Sequence, residues 1–299
     1  MLDKTKVKIG IAPIGWTNDD MPELGGEITF EQCIREMHES EYEGCEIGSK
    51  FPREPKTLLD ALKPYNLKIA SQWFSSYFTT DSKPDGTIMA FKNHMRFLKS
   101  VGAQVIVVSE QGNSIQGKIK TPIFEKKPIL DEFGWNKLKR GLETLGKLAV
   151  ENGMKIAYHH HMGTVIQSRD EIDILMHITD PELVFLLADT GHIFYAGGNP
   201  VSLISDYIDR IVHIHLKDVR SVILNRVRDD KLSFLESVKL GVFTVPGDGG
   251  IDFKPIFKII EKTAYSGWLI VEAEQDPTKA NPKKYAQIGR NTIRKLSGI

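Results

Sequence analysis

The 299-residue chain is sparing in the features that mark several protein classes. It has two cysteines, Cys33 and Cys45, too few for a disulfide framework, so a reducing compartment is the default. It has no net charge, with 39 Lys and Arg against 39 Asp and Glu. Proteins that live on DNA or on an anionic membrane need a basic face, so neither nucleic acid nor membrane is an expected partner. No apolar run approaches the ~20 residues of a membrane helix. The charged segment Met1–Lys8 leads straight into Ile9, with no leader-like stretch behind it. These absences describe a soluble, cytoplasmic protein. Neither a G-x-S-x-G elbow nor a C-x-x-C pair occurs, which removes the serine-hydrolase and thiol-redox classes. Gly247-Asp248-Gly249-Gly250 lacks the Lys-Ser/Thr pair of a phosphate loop and reads as a turn.

What the chain does have is a recurring unit. A short apolar run followed by an amphipathic stretch occurs eight times, the runs being Val7–Ala12, Gly44–Ile47, Lys68–Gln72, Val105–Val108, Lys155–Tyr158, Val184–Ala188, Ile211–Leu216 and Trp268–Val271. Most are rich in Val and Ile and read as buried strands. The stretches between them carry helix signals. Thr29 with Gln32 suggests a capping box, and Phe30, Cys33, Ile34 and Met37 share one face. Leu138, Leu142, Leu145 and Ala149 share another, which ends at Asn152-Gly153. Asn199-Pro200 opens the sixth helix and Asp252 is the expected cap of the seventh. Alternating strands and helices imply parallel strands with right-handed crossovers. Eight such units fit a single (β/α)8 TIM barrel spanning residues 1–299. An open doubly wound sheet is the alternative, but its glycine fingerprint is missing where the chain reads Ala12-Pro13-Ile14-Gly15-Trp16. Two long connections, Gln111–Leu130 and Val219–Val245, follow strands and so belong to the face where barrels keep their active sites.

Polar residues collect at that face. The strand ends carry Trp16, Glu46, Gln72, Glu110, His159/His161, Asp189/His192, His215/Lys217/Asp218 and Glu272/Glu274. Strand side chains alternate between barrel interior and helix layer. In Ile211–His215 the two histidines share a face, and in Ala157–His161 the same rule pairs His159 with His161 and sends His160 the other way. Asp189 and Glu272 each end a buried apolar strand. Four adjacent strands thus bring His159, Asp189, His215 and Glu272 to one point, a donor set suited to Mn, Co, Fe or Zn. His160 reads as a supporting or surface residue. Cys33 and Cys45 read as structural, Cys45 pointing opposite to Glu46.

Asp189-Thr190-Gly191-His192, His213-Ile214-His215-Leu216-Lys217-Asp218 and Val271-Glu272 together resemble the xylose-isomerase-like family of divalent-metal barrels. That family includes sugar isomerases, ketose epimerases and endonucleases acting at abasic sites. The resemblance covers essentially the whole chain and implies Asp189, His215 and Glu272 as metal ligands. The family generally has glutamate on the fifth strand, which in epimerases pairs with the eighth-strand glutamate. Here the aligned residue is His159, which weighs against a two-glutamate epimerase and leaves the fourth ligand open between His159 and His161.

Pro13–Asp20, Tyr158–Thr164 and Phe243–Gly249 further resemble the branch of the family that acts on a ketone of inositol catabolism. That implies a hydro-lyase taking water from 2-keto-myo-inositol to leave a trihydroxycyclohexane-1,2-dione through a metal-stabilised enediolate. It also implies Mn or Co as the cofactor and a role for glutathione. The candidate acids and bases are Glu46, His161, His192 and Lys217, and the candidates for binding substrate hydroxyls are Trp16, Asn18, Asp218 and Arg220. A sugar or inosose isomerase/epimerase on the same barrel is the alternative. The expected partner is a small polyol ketone, with homo-oligomerisation left open.

Overall fold

The computed structural model describes residues 1–80 and 84–299. Among these residues, nine parallel strands form a single sheet: β1 (Val7–Ile11), β2 (Gly44–Glu46), β3 (Lys68–Ser71), β4 (Trp73–Ser76), β5 (Val105–Glu110), β6 (Lys155–His159), β7 (Val184–Asp189), β8 (Ile211–Leu216) and β11 (Gly267–Val271). A short antiparallel pair, β9 (Asp218–Val219) with β10 (Phe243–Thr244), stands apart from it. The first and last strands pair in register, Val7 opposite Gly267 through Ile11 opposite Val271. This is the expected TIM barrel, with every expected strand present.

The third barrel strand is interrupted. β3 pairs with β2, β4 pairs with β5, and only Gln72 lies between them. Backbone pairing therefore changes partner in mid-strand, and the hydroxyl of the fully buried Ser71 fills the gap. It donates to the Val105 carbonyl at 2.9 Å and accepts from the Val107 N–H at 3.1 Å. One side chain thus does the work of two ladder bonds, and the barrel closes with those groups paired.

Alternation sorts the strand residues as expected. Ile9, Ile11, Cys45, Ile69, Ile106, Val108, Ile156, Leu186, Ile214, Leu216 and Leu269 join one large core shared with the helices. Two small groups, Ala12 with Ala70 and Ile270, and Val107 with Ala157 and Leu187, lie on the other side of the sheet. Polar strand ends continue the inner series above these residues.

The helix signals hold with two corrections. Asn199 caps its helix by accepting from Val201 and Ser202, and Gly153 takes φ +73° after Asn152. Thr29 accepts from Gln32 N–H, but the Gln32 amide bonds Glu36 instead of returning to the cap, so there is no capping box. Asp252 lies one residue before the actual cap, Phe253, yet still accepts from Lys254 N–H at 3.0 Å. The connection after β9 is not irregular, since it forms helices over Ser221–Asp229 and Phe234–Leu240 before returning in β10.

Replacing Ser71 by Ala leaves a buried N–H and C=O without their partner. Urea unfolding is expected to show a loss of about 1–3 kcal/mol, and an unchanged midpoint would remove the closing role assigned to this hydroxyl.

Candidate metal centre

β6, β7, β8 and the residue after β11 deliver His159, Asp189, His215 and Glu272 to one buried point, their ligand atoms all within 4.8 Å of one another. His159 Nε2 lies 3.5 Å from Asp189 Oδ2, and His215 Nδ1 lies 3.4 Å from the same oxygen. His215 Nδ1 also closely approaches Glu272 Oε2. Three of these atoms, Asp189 Oδ2, His215 Nδ1 and Glu272 Oε2, are buried and have no hydrogen-bond partner. Buried polar atoms are ordinarily satisfied, so orphaned atoms converging on one point mark a place suited to a cation. A divalent ion with bonds of ~2.0–2.3 Å fits this donor chemistry.

The other atoms of these side chains are already engaged, which sets the tautomers. His159 Nδ1–H donates to the His160 carbonyl at 2.7 Å, which leaves the Nε2 lone pair facing Asp189. His215 Nε2–H donates to Glu46 Oε1 at 3.3 Å, which frees Nδ1. Asp189 Oδ1 accepts the His192 backbone N–H at 2.8 Å, so Oδ2 alone remains free. Such outer partners fix the direction of a ligand's lone pair. Glu46 belongs to this layer as well as to the cavity wall, because it also accepts from His213 at 2.9 Å. Burial opposes its charge, but His215 and His213 outweigh burial and hold its carboxyl well below the usual range.

His160 does point away from its two neighbours, yet it is not a surface residue. It is fully buried, and its Nε2 accepts the Asp189 backbone N–H at 3.2 Å. Burial, with His159 adding to it, lowers its pKa to about 3, so the ring stays neutral and able to accept.

A cavity of about 210 Å³ opens above the centre. It is smaller than the ~300–1,000 Å³ of drug-sized sites, which suits a compact polar molecule. Glu46, His161, His215, Glu272 and Glu274 reach its wall. Among the candidate acids and bases, His192 and Lys217 do not reach it, and both are fully buried. Burial opposes the Lys217 charge, but the carboxylates of Asp189, Glu272 and Glu274 outweigh burial and raise its pKa above the ordinary lysine value. It is a fixed cation, ill-suited to act as a base.

The four residues expected to bind substrate are occupied elsewhere, and none of them lines the cavity. Trp16 is buried in the core and its indole N–H donates to Glu36 at 2.7 Å. The Asn18 side chain accepts from the backbone N–H groups of Asp20 and Met21, holding a turn. Asp218 accepts from the N–H groups of Gly247, Gly249 and Ile251 and so ties down the glycine-rich turn. Gly249 is required there, since a Cβ would lie 2.3 Å from Asp218 Oδ1. Arg220 is bound by Asp248, Thr244 and the carbonyls of Gly241 and Phe243.

Two other residues are better placed. Gln72 and Gln116 line the cavity with side-chain carbonyl oxygens that are buried and unpartnered, while the Gln116 amide donates to Asp20 at 2.8 Å. Gln72 is recognisable as a strand-end residue. Gln116 lies in a long connection where no local pattern singles it out.

Fold and donor set together define an α/β barrel with a candidate metal centre at its strand ends, and the chain belongs to the xylose isomerase-like TIM-barrel family, whose model matches residues 34–296. It is 57% identical over 300 residues to an inosose dehydratase of Geobacillus thermodenitrificans and 56% identical to one of Clostridium tetani, with 100% of both chains covered in each case. Among solved structures it resembles the IOLI protein with a zinc atom (TM-score 0.71, 16% identity, 97% of this chain and 98% of that one). It also resembles a probable 3-DHS dehydratase from Bacillus anthracis (TM-score 0.72, 14% identity, 96% and 98%). At such identities these two likenesses speak for the fold.

The roles of the two neighbouring histidines can be separated by calorimetric titration with Mn²⁺. His160→Ala, which removes the support under Asp189, is expected to weaken binding about 10- to 100-fold, and His159→Ala by more. A silent His160→Ala would show that the Asp189 backbone needs no such support.

Proposed function

We propose that this chain is a hydro-lyase that removes water from 2-keto-myo-inositol in inositol catabolism, giving a trihydroxycyclohexane-1,2-dione by way of an enediolate. The observation that carries the reading is the trio of orphaned atoms, Asp189 Oδ2, His215 Nδ1 and Glu272 Oε2, at the base of a small polar cavity in a chain that matches inosose dehydratases over its full length.

A divalent ion held by His159, Asp189, His215 and Glu272 supplies Lewis acidity that makes the hydrogen beside a ketone more acidic. The remaining work falls to the chain's own side chains. Of the candidate proton carriers, Glu46 and His161 reach the cavity. Glu46, kept ionised by His213 and His215, is assigned as the base that takes the α-proton. His161, with its Nδ1–H held by the Met162 carbonyl at 2.9 Å, enters this step as the imidazolium and delivers its Nε2 proton to the β-hydroxyl, which leaves as water. Loss of the α-proton turns the C–H electron pair into the C=C bond of the enediolate. As the ketone C=O re-forms, that double bond shifts to the α,β position and the C–O bond breaks, and the resulting enol tautomerises to the dione. Gln72 and Gln116 accept hydrogen bonds from ring hydroxyls through their free carbonyl oxygens.

Mn or Co as the ion follows from the mixed imidazole and carboxylate set together with the family resemblance. Glutathione stays in the reading on the resemblance alone. Both cysteines are buried, and burial, reinforced by Glu36, pushes the Cys33 thiol up to about 12, so neither offers a thiolate partner. A cytoplasmic location accords with the free cysteines, and no helix among the described residues is long and apolar enough to cross a membrane.

With 2-keto-myo-inositol and Mn²⁺ or Co²⁺, each turnover should release one water and form one dione, seen as mass loss and new ultraviolet absorption. A chelator should abolish the signal, and added metal should restore it. Exchange of the α-proton or an epimeric ketone without mass loss would move the chain to the epimerase alternative. Gln116→Leu should raise KM about tenfold with little change in kcat, the worth of one hydrogen bond of about 1–1.5 kcal/mol.

A further inference from the structure

Beside the four-donor set lies a second buried group, His161, His192 and Glu274, whose ligand atoms are also within 4.8 Å of one another. Two imidazoles and a carboxylate converging in this way are what a divalent transition ion takes. Here the ammonium of Lys217 takes them instead. Nζ lies 2.8 Å from Glu274 Oε1, 3.0 Å from His192 Nε2, 3.4 Å from Glu272 Oε1 and 3.6 Å from Asp189 Oδ2. The 3.0 Å contact turns the His192 Nε2 lone pair to the ammonium, which places the ring hydrogen on Nδ1. His161 Nε2 faces the same Glu274 oxygen at 3.8 Å.

The seat of Lys217 is constructed in detail. Thr190 Oγ1 accepts the Lys217 backbone N–H at 2.9 Å and donates to its carbonyl at 2.7 Å. The aliphatic stem crosses Gly191, where an added Cβ would come within 2.5 Å of Lys217 Cγ. The ring of Phe243 lies beneath Nζ at 4.6 Å. A strongly hydrated ammonium is costly to bury, so its full enclosure points to a requirement for positive charge at that spot.

We propose that Lys217 is a built-in cation that stands in for a second metal ion and keeps the centre mononuclear. One divalent ion and one ammonium then share the carboxylates of Asp189, Glu272 and Glu274, and a second divalent ion is excluded by the space and the charge that Lys217 occupies. This rests on the reading that His159, Asp189, His215 and Glu272 hold an ion.

The test is to count Mn²⁺ per chain at saturation by elemental analysis and to record the electron paramagnetic resonance spectrum. The unaltered protein should bind one ion with the spectrum of an isolated Mn²⁺. Lys217→Ala, which keeps every donor and opens the space, should bind two and show a spin-coupled pair. Lys217→Met, which fills the space without charge, should bind one. Gly191→Ala, which pushes the lysine stem off its seat, gives a second route to the two-ion state should Lys217→Ala fail to fold. Two ions in the unaltered protein, or a single ion in a folded Lys217→Ala or Gly191→Ala variant, would overturn the proposal. No ion in the unaltered protein would instead overturn the metal reading on which it rests.

Discussion

The carboxylates of Glu46, Asp189, Glu272 and Glu274 are buried together around the centre at one end of the barrel, and their mutual repulsion is the constraint that organises what surrounds them. A buried carboxylate is tolerated only with a partner, and each has been given one. Glu46 has His213 and His215, and Glu274 has Lys217, with His192 and His161 nearby. Asp189 and Glu272 share Lys217 and His215, and each still keeps one oxygen without a hydrogen bond. The residual negative potential falls where the orphaned atoms converge.

The barrel geometry makes this concentration of charge feasible. Parallel strands in register place every second side chain on the inner face, so β7 and β8 set Asp189 beside His215 as paired residues. The same register puts Ile270 beside His215 and carries Glu272 just past the end of β11. The outward-facing residues between them pack against the helices and keep the strand ends rigid. A donor set built on strands rather than loops holds its geometry before any ion arrives.

The two long connections complete the site from above. The segment after β5 brings Gln116 over the cavity, while the one after β9 folds into two helices and a returning strand that press Phe234 and Phe243 against His161 and His192. These aromatic rings enclose His192 and Lys217, which are buried and do not reach the cavity wall.

Much of this is legible in the amino-acid sequence itself. Period-two alternation, the end of each apolar run and the helix caps depend on neighbours in sequence, so the eight strands, the inward pair His213/His215 and the meeting of His159 with Asp189, His215 and Glu272 could all be read directly. What no local pattern reveals is which polar residue pairs with which across the fold. Trp16, Asn18, Asp218 and Arg220 look free to bind hydroxyls in sequence, but each is taken by a distant or turn-forming partner. Ser71 bridging the broken third strand, Gln116 reaching the cavity and Lys217 filling a second donor group are all contacts between segments far apart in the chain. Alternation assigns a side chain to a face, whereas the partner it meets there depends on how the strands are staggered around the closed barrel.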